Sequence, residues 1–460
     1  MVIVTASDVK NYFKDPFELW ANHNADKKLK DPKSDYFELL TNKGNEHEAQ
    51  VLHQYNAVPL EFDDYDKGYK LVLDLMKKGE RKIANAPVSY PDLGLSGKVD
   101  LLERVPGKSK FGDYYYVVKE IKLAKSIKHY HKMQAAFYNF IIGKIQEFTP
   151  KYYYLINGAG ESTLCDYDGG LEKLLLSSVE GARKLISGEE VASATYGVTD
   201  YPWSNLANTF AIKAHDVSLV DRVSSALKRE LNNLGIKSYE ELSKLSVEEL
   251  VKVKGVGNFT ALKIIRSAES LVKQKPLIID TDFSFPRRTV ELFLDFEGVQ
   301  NMDYLIGLVE RREFSEAKYI PFLADDLSSE GEMLNKFLHY INGLNDFVIY
   351  HYGSYERKHF QKLFELYNTQ EHLRSKILNN LYDLHRVVDK HIVFPIYGTG
   401  LKPLAKYFKF NWRHKEVNAM ESSAYFVSGD SKKIKLAVDY NEDDCFATIV
   451  VKDNLLSFTS

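Results

Sequence analysis

The segments G-K-V-D-L-L-E-R-V (Gly97–Val105) and D-Y-Y-Y-V-V-K-E-I-K-L-A-K (Asp113–Lys125) decide the first fold prediction. Apolar and polar residues alternate through both segments, and a period of two is typical of β-strands. We expect one strand over residues 94–103 and another over 113–123. The Pro106-Gly107 pair between them favours a turn. The sequence therefore predicts two neighbouring strands of an α/β domain.

These strands carry charged residues that suit phosphodiester chemistry. Asp100 lies in the first strand, and Glu120 and Lys122 lie two apart in the second, so their side chains leave the same face of it. Two carboxylates on neighbouring strands can bind Mg²⁺ together with a phosphate, and a nearby ammonium can stabilise developing charge. An isolated Glu-x-Lys is more often a solvated strand face. The downstream Gln134 and Tyr138, four residues apart on a predicted helix, favour the functional interpretation.

Helices are predicted before and after the two strands along the chain. The predicted elements are helices within residues 1–60, over 127–145 and near 170–187, and a strand over 151–156. His47 follows Gly44 on one of the N-terminal helices. A single helical histidine is more often a surface or core residue. It becomes a candidate metal ligand if its helix packs beside the Asp100 strand.

Bulk composition limits the classes of protein that fit. With 460 residues, the chain is long enough for roughly three domains of about 150 residues. It has no signal-peptide pattern and no apolar run of about 18 residues, so we expect a cytoplasmic protein with no membrane partner. Two cysteines, Cys165 and Cys445, are too few for a disulfide framework or for a four-cysteine metal cluster within one chain.

The net charge of −3 does not indicate nucleic-acid binding, so phosphate contacts must come from local basic segments. One candidate is K-K-G-E-R-K (Lys77–Lys82), which we interpret as a solvated face. The other runs from Lys119 to Lys132 and borders the proposed metal site. We expect this whole segment to face phosphate, with Lys125 and Lys128 in contact with nucleic acid.

The order His47, Asp100, Glu120-x-Lys122 and Gln134-x-x-x-Tyr138 resembles the RecB-like branch of the PD-(D/E)xK nucleases, which includes the CRISPR-associated RecB-like exonucleases. The resemblance spans roughly residues 1–200. It implies a restriction-endonuclease-like α/β/α core, which we assign to a domain over 1–215. The implied roles are metal binding by His47, Asp100 and Glu120, catalysis by Lys122, and support of substrate and site by Gln134 and Tyr138.

Many members of that branch hold an iron–sulfur cluster through one N-terminal cysteine and three later ones. The N-terminal cysteine typically precedes a proline, whereas this chain has Asp15-Pro16 there. The later segment near Tyr201 has no cysteine. We therefore expect no iron–sulfur cluster, and we expect Trp203 and Phe210 to pack in the local core. The sequence leaves open what ties the two ends of this domain together.

Residues 216–275 change to short helices with clear N-caps, because Ser238 and Ser246 each precede an acidic first turn. A change of pattern and two prolines predict a linker over 276–289. The composition of the helical segment predicts a separate domain.

A hairpin motif lies within this helical segment. V-K-G-V-G-N-F-T-A (Val253–Ala261) resembles the helix-hairpin-helix module. The resemblance implies that the backbone of Gly255, Val256 and Gly257 contacts a nucleic-acid phosphate without reading sequence. A purely structural or protein-binding helical repeat is the alternative.

A second β-rich region starts at Val290. Three strands are predicted by V-E-L-F-L-D-F-E-G-V, M-D-Y-L-I-G-L-V-E and A-K-Y-I-P-F-L; a helix follows near 329–342, and F-V-I-Y-H-Y-G-S-Y-E runs from a strand into a helix. Asp295 and Glu297 lie two apart at the end of the first strand. Near the C-terminus, Tyr440 and Asp444 are four apart on a predicted helix. Taken singly, each acid has an ordinary surface interpretation.

As an ordered set, these residues resemble the RNase H-like DEDD exonucleases of the tyrosine subclass, over a domain that we place at 290–460. The resemblance implies two metal ions bound by Asp295, Glu297, Glu356 and Asp444, with Tyr440 orienting the water. Ions about 3.5–4 Å apart would stabilise the attacking and leaving oxygens. Most of the family has Asp where this chain has Glu356, so Mn²⁺ is an alternative to Mg²⁺. Asp443 stays open as an alternative ligand, although the helix face favours Asp444.

The order of the three domains resembles a family of nucleases found alone or fused to superfamily-1 helicases, which implies a helicase partner by analogy. We predict a metal-dependent nuclease in DNA repair with two candidate centres. The RecB-like centre would cut DNA, and the RNase H-like centre would trim 3′ ends of DNA or RNA. Two alternatives stay open. One is a nucleic-acid-binding adaptor of a helicase with weak or inactive centres, and the other is an RNA 3′–5′ exonuclease that uses only the C-terminal domain.

Overall fold

A computed structural model describes residues 2–57, 59–299, 301–313 and 315–459. These residues form two compact units. The first comprises the chain up to Lys33 together with Phe37–Ala211, and the second comprises Ser34–Tyr36 together with the chain from Ile212 onward. Within the described residues, no helix combines the length and the apolar character that crossing a membrane requires.

The first unit is built on a six-stranded mixed sheet. Its strands are β1 (Val4–Thr5), β2 (Lys82–Tyr90), β3 (Leu95–Ser109), β4 (Gly112–Ile121), β5 (Tyr152–Ile156) and β6 (Ser162–Asp166). The helices of this part of the chain are α1 (Ala6–Lys14), α2 (Pro16–Asn24), α3 (Asp35–Gln54), α4 (Tyr65–Lys78), α5 (His129–Gln146), α6 (Gly169–Ile186) and α7 (Ser204–Lys213). The strand order is β1-β3-β4-β5-β6, and β2 pairs with β3.

The centre of this sheet comes from the segments quoted first. β3 and β4 are antiparallel, and the chain then passes through α5 to β5, which lies parallel to β4. Apolar side chains of α5 pack on the sheet together with those of α1 and α6. Val51 and Leu52 of α3 belong to a separate cluster with strand residues. The predicted mixed α/β fold with several domains is confirmed.

The predicted turn at Pro106-Gly107 is wrong. β3 continues through this pair to Ser109, with a register shift between Pro106 and Ser109. Gly107 has a φ of +148°, which a residue without Cβ accommodates. The chain reverses after Ser109 and re-enters the sheet at Gly112. The proline and glycine therefore form an irregularity inside the hairpin and not its end.

Polar contacts hold α7 to the N-terminal segment of the first unit. Asp31 accepts hydrogen bonds from the backbone amide and the hydroxyl of Ser204, at 2.8 and 2.7 Å. Trp203 Nε1 donates to Asn22 Oδ1 at 2.8 Å. Trp203 is buried as expected, and Phe210, although 38% exposed, packs its ring against those of Phe17 and Trp20. These contacts join the two ends of the unit, which the sequence left open.

The second unit begins with a module of short helices, α8 (Ser225–Asn233), α9 (Tyr239–Leu242), α10 (Val247–Leu250) and α11 (Asn258–Lys273). Ser238 and Ser246 cap α9 and α10 through reciprocal hydrogen bonds with the glutamate three residues on, as predicted. The predicted linker contains β7 (Leu277–Ile278), which pairs antiparallel with β13 (Ile392–Val393). This part of the linker therefore belongs to the fold.

The rest of the second unit contains a five-stranded sheet. The strands are β8 (Val290–Val299), β9 (Met302–Arg312), β10 (Lys318–Leu323), β11 (Phe347–His351) and β12 (Leu381–Asp383). The helices are α12 (Glu330–Asn342), α13 (Tyr355–Leu366), α14 (Glu371–Leu378), α15 (Leu384–His391), α16 (Leu401–Tyr407), α17 (Ala419–Ser428) and α18 (Ser431–Leu455). The order is β10-β9-β8-β11-β12, with β8, β11 and β12 parallel to one another. The strands and helices predicted for this region are confirmed.

Candidate active centres

Three carboxylates of the second unit converge near the end of its central strand. Asp295 and Glu297 lie on β8, and Asp444 lies on α18, which contacts β8 and β9. One ligand oxygen from each residue lies within 4.8 Å of those from the other two. In the described part of the chain, no other set of three His, Cys, Asp or Glu residues converges this closely. We call these three residues the carboxylate cluster.

A glycine opposite Asp295 makes room for the amide that orients its carboxylate. Gly307 on β9 pairs with Asp295 across the sheet. A Cβ at this glycine would lie 1.6 Å from Oδ1 of Asn441. Asn441 fills the space and donates from Nδ2 to Asp295 Oδ2 at 2.8 Å, while its Oδ1 accepts from the Tyr319 hydroxyl at 2.7 Å. The motif pattern in the sequence did not indicate this residue.

Burial and mutual repulsion make the carboxylate cluster a strong site for positive charge. Burial, and next the charge of Asp444, hold the pKa of Asp295 and that of Glu297 well above the ordinary range. Burial raises the pKa of Asp444 to about 6, opposed by the nearby Lys402 ammonium. Adjacent carboxylates ionise together only when a cation balances them. Because oxygen ligands suit Mg²⁺ and Mn²⁺, the donor set fits a divalent metal.

Asp444, and not its neighbour Asp443, faces the cluster. Trp412 Nε1 donates to Asp444 Oδ1 at 2.7 Å, and the Tyr440 hydroxyl one turn earlier is hydrogen bonded to the same carboxylate. Asp443 instead accepts from the backbone amide and the guanidinium of Arg413, both at 2.8 Å. Of the two alternatives that the sequence left open, only Asp444 contributes an oxygen to the cluster.

Glu356 lies near the cluster without joining it. It is a buried residue in the first turn of α13, and its Oε2 lies 3.1 Å from Nδ1 of His351 at the end of β11. Its charge contributes to the raised pKa of Asp295, after burial and the charges of the other two cluster residues. It is nevertheless not among the three residues whose oxygens converge. The fourth acid of the predicted set therefore lies close enough to interact with Asp295 but outside the group of three converging oxygens.

A cavity of about 650 Å³ opens onto the cluster. Its lining includes Asp295, Tyr440 and Asp444, the residues Asp383, His385 and Arg386 around the start of α15, and residues 399–403. The last group includes the start of α16. Lys402 in this group had no assigned role in the sequence interpretation.

The first unit brings Asp100, Glu120 and Lys122 together. Lys122 Nζ donates to Glu120 Oε1 at 2.7 Å, and Asp100 Oδ2 accepts from the Ile121 amide at 2.7 Å. Burial and the charge of Glu120 raise the pKa of Asp100 to about 7, opposed by Lys122. Glu120 is 1% exposed, and its Oε2 has no hydrogen-bond partner among the residues that the structure describes. A buried carboxylate oxygen without a partner is a position that a cation would satisfy.

Gln134 and Tyr138 are buried on α5 beside this centre. The two side chains are hydrogen bonded to each other, and burial followed by the charges of Glu120 and Asp100 holds the pKa of Tyr138 above its usual range. Tyr138 therefore lies within electrostatic range of both acids, and Gln134 lies next to Tyr138.

His47 and its neighbour Glu48 have different environments. His47 Nε2 lies 3.1 Å from the carbonyl oxygen of Asn157. Burial, and next the charge of Asp100, raises the pKa of Glu48. Glu48 on α3 therefore interacts electrostatically with Asp100, although the sequence pattern did not select this residue. Adjacent helix residues point about 100° apart, so which of them faces a sheet depends on how the helix is rotated against it.

The lysine-rich segment between β4 and α5 divides into two environments. Lys125 and Lys128 are exposed. Lys119 is buried, with its ammonium 2.7 Å from Glu103 and 4.8 Å from the centre of the Tyr154 ring. Neighbouring strand residues face opposite sides of a sheet, so Lys119 points away from the side that Glu120 occupies. The phosphate-facing interpretation of the whole segment is wrong for Lys119.

The predicted hairpin of the helical module exposes its backbone. Gly255 has a φ of +87°, and a Cβ built on Gly255 or on Gly257 would meet no atom within 4 Å. Val256 between them is buried. Gly257 is the N-cap of α11 and provides no side chain to the free amides there. A phosphate can therefore approach these amides closely.

Comparison with protein families gives two matches. Residues 292–456 match the model of the RNase_H superfamily, and residues 216–270 match that of the SAM-like helix-hairpin-helix tandem. No curated protein matches the chain. The C-terminal part is therefore an RNase H-superfamily domain, and a tandem helix-hairpin-helix module precedes it, as the sequence predicted. Together they fit a nuclease that processes nucleic acid, and RNase H-like nucleases use divalent metals.

Proposed function

We propose that this chain is a metal-dependent nuclease that hydrolyses phosphodiester bonds at its RNase H-like centre. The observation that carries the proposal is the carboxylate cluster of Asp295, Glu297 and Asp444 beside a cavity of about 650 Å³. This volume lies within the range of about 300–1,000 Å³ that small-molecule sites occupy. The cluster would hold Mg²⁺ or Mn²⁺, which lowers the pKa of a bound water and polarises the phosphate.

The side chains around the cluster have defined roles in this proposal. Tyr440 is hydrogen bonded to Asp444 and lines the cavity, so its hydroxyl can orient the attacking water. Asn441 fixes the orientation of Asp295. Glu356 would provide the fourth carboxylate of a two-metal site. Because its side chain is one methylene longer than aspartate, we expect Mn²⁺ to support the reaction better than Mg²⁺, which demands near-ideal octahedral geometry.

We infer that the substrate is DNA and that the enzyme is an exonuclease that trims 3′ ends. The exposed backbone of the Gly255–Gly257 hairpin supports binding to a phosphate backbone without sequence specificity. Such an enzyme would act in DNA repair in the cytoplasm, beside a superfamily-1 helicase by analogy with the family it resembles. An RNA 3′–5′ exonuclease that uses only the C-terminal domain is the alternative substrate assignment.

We propose a second, RecB-like centre of the PD-(D/E)xK type in the first unit. The observation that favours it is the buried, unpartnered Oε2 of Glu120 beside Asp100, with Lys122 hydrogen bonded to the same glutamate. Asp100 and Glu120 would hold the cation, and Lys122 would stabilise charge on the phosphate. Helix α3 would provide a third ligand, either the predicted His47 or Glu48, whose charge interacts with that of Asp100. This centre would cut DNA.

A cleavage assay with active-site variants tests both centres. The substrates are end-labelled single- and double-stranded DNA and RNA, each with Mg²⁺ or Mn²⁺. The proteins are the wild type, Asp100→Asn, Asp295→Asn and the double variant. Replacement of an aspartate by asparagine keeps the shape and removes the charge that binds the metal.

The outcomes separate the proposals. If both centres work, each single variant keeps part of the activity and the double variant loses all of it. If Asp295→Asn loses all cleavage and Asp100→Asn loses none, the first unit is a nucleic-acid-binding platform without its own nuclease activity. Cleavage of RNA but not DNA would favour the RNA exonuclease. A wild type that cleaves none of these substrates with either metal would overturn the nuclease proposal and favour the nucleic-acid-binding adaptor.

A further inference from the structure

One lysine faces the carboxylate cluster of the RNase H-like centre. Lys402 is the second residue of α16 and lines the same cavity as Asp295 and Asp444. Its charge interacts with those of Asp444, Glu297 and Asp295. A cation that interacts electrostatically with three carboxylates balances part of their charge and lowers their attraction for any other cation.

Neutral groups hold Lys402 in this position. Its Nζ donates to the carbonyl oxygen of Val417 at 3.2 Å. It also lies 4.3 Å from the centre of the Tyr440 ring and 5.7 Å from that of the Trp412 ring. Both aromatic side chains are hydrogen bonded to Asp444. The groups that orient the ammonium therefore also orient one of the cluster residues.

We propose that Lys402 balances the charge of the carboxylate cluster in competition with divalent cations, and that it binds the substrate phosphate once those cations are present. When metal ions balance the charge of the three carboxylates, the Lys402 ammonium no longer serves as the counterion of these carboxylates. It then lies in the cavity as a point charge for a phosphate oxygen, a role for which lysine is well suited. This inference rests on the proposed nuclease function.

Metal binding distinguishes this role from a structural one. In an Asp100→Asn background, which removes a ligand of the first unit, Mn²⁺ binding is measured by isothermal titration calorimetry. We expect Lys402→Met to bind Mn²⁺ about tenfold more tightly than this parent, since changes next to metal ligands alter affinity by about 10–100-fold. Lys402→Arg keeps the charge and should keep the parental affinity. Lys406→Met, in the same helix at an exposed position, is the matched control and should change nothing.

Thermal unfolding gives a second measure if Lys402→Met is unstable without metal. Stabilisation by a ligand increases with its affinity. The increase in Tm on addition of Mn²⁺ should therefore be larger for Lys402→Met than for the parent, and equal to the parental increase for Lys406→Met.

Cleavage of end-labelled single-stranded DNA in the same background tests the phosphate contact. We expect Lys402→Met to lower kcat by about 10²-fold, the loss typical for one group that stabilises transition-state charge. Unchanged or weaker Mn²⁺ binding in Lys402→Met would overturn the proposal that Lys402 competes with metal. An unchanged kcat would overturn the proposal that Lys402 contacts the substrate phosphate. If the parent binds Mn²⁺ but cleaves no oligonucleotide, the nuclease proposal fails for this centre, and the phosphate contact fails with it. The titration still decides whether Lys402 competes with metal.

Discussion

The Gly307→Ala substitution should disable the RNase H-like centre although no charged group changes. Gly307 lies on β9 opposite Asp295, and the space at its missing Cβ is occupied by Asn441. An alanine there must displace the asparagine that holds the Asp295 carboxylate. The substitution therefore tests whether this amide sets the geometry of the carboxylate cluster.

The expected magnitude follows from the distances. A Cβ at Gly307 would lie 1.6 Å from Asn441 Oδ1, so the amide must move by about 1.4 Å to reach the 3.0 Å below which Cβ contacts essentially never occur. This movement breaks the 2.8 Å bond to Asp295 and the 2.7 Å bond from Tyr319. Loss of a hydrogen bond to a charged group costs about 1.5–3 kcal/mol, and overpacking costs about 1–3 kcal/mol. We expect Gly307→Ala to destabilise the protein by about 3 kcal/mol. We also expect the cleavage rate to fall by about 10²-fold, because a misplacement of about 1 Å can cost that much in rate.

A double-mutant cycle with Asn441→Ala isolates the cause. Asn441→Ala removes both hydrogen bonds but leaves room for a Cβ at position 307. Adding Gly307→Ala to it should therefore cost nothing further, within about 0.5 kcal/mol. Urea denaturation measures stability, and cleavage of labelled DNA measures activity. Gly343→Ala is the control in the same unit, because its Cβ would lie 3.5 Å from the nearest atom, an ordinary contact.

Two results would refute this reasoning. One is a Gly307→Ala protein with the stability and cleavage rate of the wild type, which would mean that Asn441 can move without consequence. The other is a double variant whose loss equals the sum of the two single losses, which would mean that the two residues act independently.

Three further perturbations have defined outcomes. The pKa of Asp100 is raised from 3.8 to about 7 in the folded chain, so the metal-free protein should lose stability as the pH rises from about 4 to 7. Asp100→Asn should reduce this loss, and denaturation at several pH values measures it. Asp444→Asn should abolish cleavage by the RNase H-like centre, whereas Asp443→Asn, which weakens only contacts with Arg413, should lower Tm and retain cleavage; equal losses of cleavage would contradict the assignment. Lys119→Met should lower stability without affecting cleavage, whereas Lys122→Met should lower both if the first unit is active, because Lys122 is the partner of the buried Glu120. Unchanged cleavage in Lys122→Met would show that this lysine is only structural.

Local sequence patterns predicted many of the strands and helices, although α4 and β2 had no predicted counterpart. Alternating residues indicated β3, β4 and β8, and the serine caps indicated α9 and α10, because these signals depend on neighbours within a few positions. The turn predicted at Pro106-Gly107 was wrong for the same reason, because this signal too depends only on neighbouring residues. A proline and a glycine indicate that the chain departs from a regular strand, but only pairing with β4 decides whether it reverses there.

The ordered motifs predicted both the RNase H-superfamily domain and the helix-hairpin-helix module. The residues around each centre were harder to select. Glu48 and Lys402 carry no local pattern that separates them from other charged residues on helices. Asn441 is found only when the glycine opposite Asp295 is seen to leave space for it.

The amino-acid sequence was sufficient to place the helix-hairpin-helix module before the RNase H-superfamily domain and to name the candidate acids, because motifs and spacing are properties of the chain itself. The tertiary structure decided which acids meet. It brought Asp444 to Asp295 and Glu297, left Glu356 beside His351, and turned Lys119 away from Glu120. The physical reason is that a carboxylate cluster depends on the rotation and packing of α18 against β8, and these arise from contacts between residues more than a hundred positions apart.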